Sequence, residues 1–189
     1  MIHRAVLAAI AALAVLNAAD LPATARPAPP TATATGALPP FSHAVGPDAF
    51  GYYLPRRPVR IGRYQFDHLH LGDAREFLAW ERGRRRATYA PVMLVFSDLR
   101  SPMTTNELGQ SSHTVQIRVL PRAYRVAPGD IRFRGRDRRL GEVRLDGRFD
   151  PAALARAMGG DSGAVVVVGG LQVGQTPFRD LSLTWFGGD

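Results

Sequence analysis

Asp67-His68-Leu69-His70, with Glu76 six residues beyond, is the set of side chains best suited to hold a metal ion. Two histidines spaced by two on a strand point to one face, so both imidazoles can reach a single divalent ion and a carboxylate brought over them completes the set. Such a metal polarises a substrate oxygen or activates water. The competing reading is a pair of histidines at a strand end making ordinary hydrogen bonds. Phase separates two placements: with Tyr64 and Phe66 inward, His68 and His70 are inward too, whereas a bulge at Asp67 turns Leu69 and Leu71 inward instead.

Read with its glycines, the stretch runs Gly62, five residues, His68-x-His70, five residues, Glu76, six residues, Gly83. It resembles the first metal-binding motif of the cupin family, which places three or four residues before the glutamate. The resemblance implies a small β-barrel and a site for iron, manganese, zinc or nickel on His68, His70 and Glu76. His113 is the only later histidine available to complete that site. Gly160-Asp161-Ser162-Gly163 resembles the nucleophile loop of chymotrypsin-like serine proteases, but no histidine stands in an alanine-alanine-histidine context to take the serine proton. A turn between a helix and a strand uses the same residues. Ser97 to Ser112, with Asp98, Asn106, Glu107 and His113 close by, reads as a long polar loop of the kind that often binds or covers a ligand.

All 24 basic residues are arginine, against 16 acidic ones, for a net charge of +8. The absence of lysine excludes Schiff-base and P-loop chemistry, and the absence of cysteine excludes disulfides, thiolate sites and a cysteine nucleophile. Arginine used to the exclusion of lysine fits GC-rich coding as well as selection by a partner. The arginines nonetheless cluster, at Arg82, Arg84, Arg85 and Arg86, and again from Arg132 to Arg139. On a strand, Arg132, Arg134 and Arg136 share one face, a candidate surface for an anionic polymer or lipid headgroups or simply a solvated one.

The elements that must position these residues begin after an address and a tether. Residues 1–25 have the plan of a signal peptide: His3 and Arg4, an apolar run from Ala5 to Leu16, and Ala23-Thr24-Ala25 as a cleavage site, with a cut after Ala19 as the alternative. Twelve apolar residues span about 18 Å of helix, short of a roughly 30 Å bilayer core, so no transmembrane anchor is expected after cleavage. Residues 26–40 form a Pro/Ala/Thr-rich linker and 41–189 a single domain. A periplasmic or secreted location follows.

Within the domain, Val59 to Leu71 reads as one strand with a bulge near Gly62. Asp73 with Glu76 reads as the capping box of a helix of about ten residues. Further strands are expected at Pro91–Phe96, at His113–Val119, around Ile131 and Phe133, and around Val143 and Leu145, with turns at Gly141 and Asp146-Gly147. Asp150 and Pro151 start a second helix that Gly159-Gly160 ends. Ala164–Val173 and Pro177–Phe186 form a hairpin about Gly174-Gln175, with Leu181, Leu183 and Trp185 on one face.

The expected fold is mainly β, an antiparallel barrel or sandwich of seven to nine strands with two short helices. The function expected from this plan is non-enzymatic binding of an apolar small molecule or a cell-envelope component. The alternatives are a metal-dependent enzyme or sensor and an arginine surface for anions. Nucleic acid is not the expected partner.

Overall fold

A computed structural model describes residues 40–44, 46, 49–107, 109 and 111–188. The expected leader and all of the linker but Pro40 lie outside these residues. The described chain forms β1 (Phe41–His43), β2 (Gly51–Pro55), β3 (Val59–Ile61), β4 (Tyr64–Leu71), α1 (Ala74–Glu81), β5 (Val92–Asp98), β6 (Met103–Thr105) and β7 (Ser111–His113). It continues with β8 (Gln116–Val119), β9 (Pro121–Ala127), β10 (Asp130–Asp137), β11 (Gly141–Phe149), α2 (Pro151–Met158), β12 (Val165–Val173) and β13 (Thr176–Phe186). The mainly β class with two short helices is as expected; the strands are more numerous.

Eleven strands form one curled, barrel-like sheet, and β6 with β7 makes a separate hairpin. All its pairings are antiparallel except β1 with β9. The neighbour order β2–β4–β5–β8 crosses Leu120 into β9–β10–β11–β12–β13, and β13 pairs with β2 again. One stretch, 116–127, thus serves β5 with its first part and β10 with its second. Pro121 tolerates this corner because it stands at the first position of β9, where a missing N–H costs least.

Alternation places the core inside the curl. Tyr53, Phe66, Phe96, Tyr124, Phe133 and Phe149 are all fully buried. Phe66 packs against Phe96 at 5.3 Å between ring centroids. The Tyr53 hydroxyl donates to the Ala49 carbonyl at 2.7 Å, which satisfies its polar end, and burial raises its pKa. The final hairpin is as expected: Val173 pairs with Thr176 across Gly174-Gln175, Gly174 has φ of +56°, and Leu181 and Leu183 are buried.

Three expectations are corrected. Gly62 is a turn rather than a bulge; its φ of +57° suits glycine, and Ile61 pairs directly with Tyr64 across it. Asp146-Gly147 is no turn but the middle of β11, opposite Gly170 and Gly169. The polar loop after Ser97 contains β6 and β7, and β7 ends at His113 before β8 begins.

α1 carries the full capping box. Asp73 accepts from the Glu76 N–H at 2.8 Å, and Glu76 accepts from the Asp73 N–H at 3.0 Å. Phe77 and Trp80, three apart, are the buried side of this helix, with Phe77 edge-on to Tyr124 at 5.6 Å. Asp73→Ala is expected to destabilise the domain by about 1 kcal/mol, measured as a shift of the urea midpoint with the slope unchanged. Among the described residues no helix is long and apolar enough to cross a membrane.

Candidate functional site

The placement of both histidines turns on one extra residue in β4. Phe66 lies opposite Phe96 and His68 opposite Val95, so Asp67 is bulged out of register. Leu69 and Leu71 therefore point into the core, and His68 and His70 share the opposite face. Tyr52 packs on both imidazoles, at 5.1 and 5.4 Å between ring centroids.

The structure does not gather His68, His70 and Glu76 into a metal-binding group, and no cluster of three or more potential ligands of that kind occurs among the described residues. Glu76 is committed to capping α1. His70 Nε2 is bonded to the Tyr89 hydroxyl at 2.9 Å, with the Glu76 carboxylate nearby. Burial and the nearby Glu76 carboxylate raise the Tyr89 pKa. The His70 pKa is lowered by burial, with Glu76 opposing, and its Nδ1 is buried without a hydrogen-bond partner. Burial thus favours the uncharged form of His70.

His68 faces a different setting, an open cleft of about 510 Å³ lined by β2, β4, β5, β7, β8 and the end of β13. Tyr52, Leu54 and Phe186 supply its apolar lining, and Gln65, Asp67, His68, Ser97, His113 and Gln116 supply polar groups. The Ser97 hydroxyl donates to Asp67. Burial raises the Asp67 pKa, while the Ser97 bond and the charge of His113 act against that rise. His68 is held neutral, its pKa lowered to about 4 by burial first, then by His70 and Arg118.

His113 reaches this cleft because the loop before it is tied at its base. Arg63 pairs with Asp98 at 2.5 Å, Asp98 accepts from the Arg100 N–H, and the Ser101 hydroxyl donates to the Asp98 carbonyl. The Ser101 carbonyl in turn accepts from His113 Nδ1 at 3.1 Å. A carbonyl only accepts, so His113 Nδ1 carries a proton in this contact. Ser112, His113 and Gln116 also line a second opening of about 600 Å³, with Thr88, Thr104 and Arg118.

The arginines divide by surroundings. Arg82, Arg84, Arg85 and Arg86 are all exposed, and Arg85 also lies over the Phe41 ring at 4.5 Å and the Trp80 ring at 5.8 Å. Arg132, Arg134 and Arg136 alternate with buried Ile131, Phe133 and Gly135, so they do share the outer face of β10. The Gly160-Asp161-Ser162-Gly163 stretch is an exposed turn in which Asp161 accepts from the Gly163 N–H.

No family model, curated protein or solved structure matches this chain. The site is therefore read from its own geometry. Sequence reasoning brought His68 and His113 forward separately and missed Tyr52, Leu54 and Phe186. The alternating apolar residues of 181–185 marked the last strand, but its neighbour is β2, at the other end of the domain.

Proposed function

We propose that this chain is an exported, non-enzymatic binding domain that holds a cell-envelope component in the cleft above Asp67. The observation that carries the reading is the cleft's mixed lining: aromatic and aliphatic side chains beside hydrogen-bonding ones, with Tyr52 packed against His68. A ligand with one apolar face and a hydroxyl or amide edge suits it, as a sugar ring does, with Tyr52 or Phe186 against the ring and Asp67, Gln65 and Gln116 on the hydroxyls. The volume fits a ligand of small-molecule size. The Ser97 hydroxyl gives its proton to Asp67 rather than to a histidine, which orients the carboxylate for binding and leaves the serine without a histidine base. The packed aromatic interior directs the search for a ligand to this outer face.

Isothermal titration calorimetry of the full chain with hexose and N-acetylhexosamine oligomers tests the reading. The expected result is saturable binding that Asp67→Asn and Tyr52→Ala each weaken tenfold or more, with circular dichroism unchanged. Binding indifferent to both substitutions, or no binding by any of these sugars, overturns it.

A further inference from the structure

A second surface lies away from the cleft. Residues 121–149, which make β9, β10 and β11, hold nine arginines against four carboxylates, and so five of the chain's eight net positive charges. The inward residues of these strands are apolar and buried, among them Tyr124, Val126, Ile131, Phe133, Val143 and Leu145. The charge is thus confined to the outer side and the turns.

Register orders it further. Arg132 stands between Arg125 on β9 and Asp146 on β11, and Arg134 between Ala123 and Arg144. Neighbouring strands are about 4.8 Å apart and same-face residues roughly 6.6 Å apart, so the arginines form a lattice extended in two directions.

The carboxylates on this face hold the guanidinium groups in place. Arg132 Nε donates to Asp130 Oδ1 and Arg125 Nε forms an ion pair with Asp130 Oδ2, both at 2.9 Å, contacts made through Nε rather than the terminal nitrogens. Arg134 is fixed by the Phe133 and Leu145 carbonyls and by Asp146. Arg144 bonds Glu142 at 2.7 Å, and Arg122 and Arg136 lie close enough to help lower the Glu142 pKa. Donors fixed before contact lose less freedom on binding.

We infer that the outer face of β9, β10 and β11 docks onto an anionic lipid surface, its arginines meeting phosphate-bearing headgroups. A headgroup layer presents negative charge in two dimensions, as the arginine lattice does, whereas a linear polyanion meets a single row at a time. Guanidinium groups bind phosphate through paired N–H donors, and clustered arginine near such a surface adds attraction charge by charge.

The test is co-sedimentation of the full chain with vesicles of phosphatidylcholine and phosphatidylglycerol at 7:3, against vesicles of phosphatidylcholine alone. Binding is expected to the anionic vesicles only, and to be lost in 1 M salt. The triple variant Arg132→Gln, Arg134→Gln, Arg144→Gln is expected to bind about a hundredfold more weakly, since each arginine contributes about fivefold. Arg82→Gln, Arg84→Gln, Arg86→Gln, a change of equal charge in the loop after α1, is expected to stay within threefold of the parent. Both variants are checked by thermal melting. Equal binding to both vesicle types, equal loss in both triple variants, or retention on immobilised polyphosphate without vesicle binding overturns the inference.

Discussion

Gly169→Val is expected to destabilise the domain by about 3–5 kcal/mol, a large part of the 5–15 kcal/mol that holds a typical domain folded. Gly169 of β12 faces Gly147 of β11. A Cβ at position 169 falls 2.3 Å from the Asp146 carbonyl oxygen and 2.5 Å from the Gly147 Cα. Both are backbone atoms held in the ladder, so no side chain can swing aside. The strands must part, which breaks hydrogen bonds worth about 1 kcal/mol each in addition to the steric cost. Gly163→Ala is the control, because its Cβ meets only the Asp161 side chain, at 3.5 Å. Urea unfolding is expected to show the control within about 1 kcal/mol of the parent and Gly169→Val with its midpoint lowered by the equivalent of about 3–5 kcal/mol. A Gly169→Val protein that melts like the parent removes close approach as the reason for glycine there.

The second large effect is loss of stability in acid. The folded-state pKa of His68 lies near 4, below the ordinary histidine value of 6.5, with burial the main cause. Between those two values the unfolded chain takes up a proton that the folded chain refuses, so stability is fully present above pH 6.5 and falls as pH drops towards 4. The loss is roughly 2 kcal/mol once solvent at the open side of the cleft is allowed for. His70 is shifted in the same direction and adds to the loss. Asp67 is shifted upward and opposes part of it, because its folded form binds a proton more readily just above the usual carboxylate range. Urea midpoints at pH 7, 5.5 and 4.5 are expected to fall steadily for the parent and about 2 kcal/mol less for His68→Gln. The same slope in both proteins assigns the acid sensitivity to other groups.

Features that depend on neighbours along the chain were legible in the sequence. The capping box at Asp73, the start of α2 at Asp150-Pro151 and the Gly174-Gln175 turn each need only a few adjacent residues, and each is present. The bulge at Asp67 was legible only as one of two phases, because the choice depends on which β4 residues fit Phe96 and Val95 of β5. Strand β9 escaped notice because Pro121, Arg122 and Arg125 interrupt the apolar signal, although buried Tyr124 and Val126 carried it two residues apart. The cleft was illegible as a unit, since it needs strands from both ends of the domain side by side. His68 and His70 share one face of β4, while Glu76 sits on α1: the glutamate that completes the spacing is also the one a capping box requires.

The path of strands that returns to its starting point through Leu120 has a consequence for how the chain reaches this state. Most pairs join neighbours in sequence and can form early and locally, but Leu183 must find Pro55. That contact closes almost the whole domain as one loop, an entropic cost met only when it forms, so it slows folding into the millisecond-to-second range. Until then β2 and β13 each expose an unpaired rim to other nascent chains. Crowding during synthesis, rather than equilibrium stability, then sets the stage at which this protein is most exposed to aggregation.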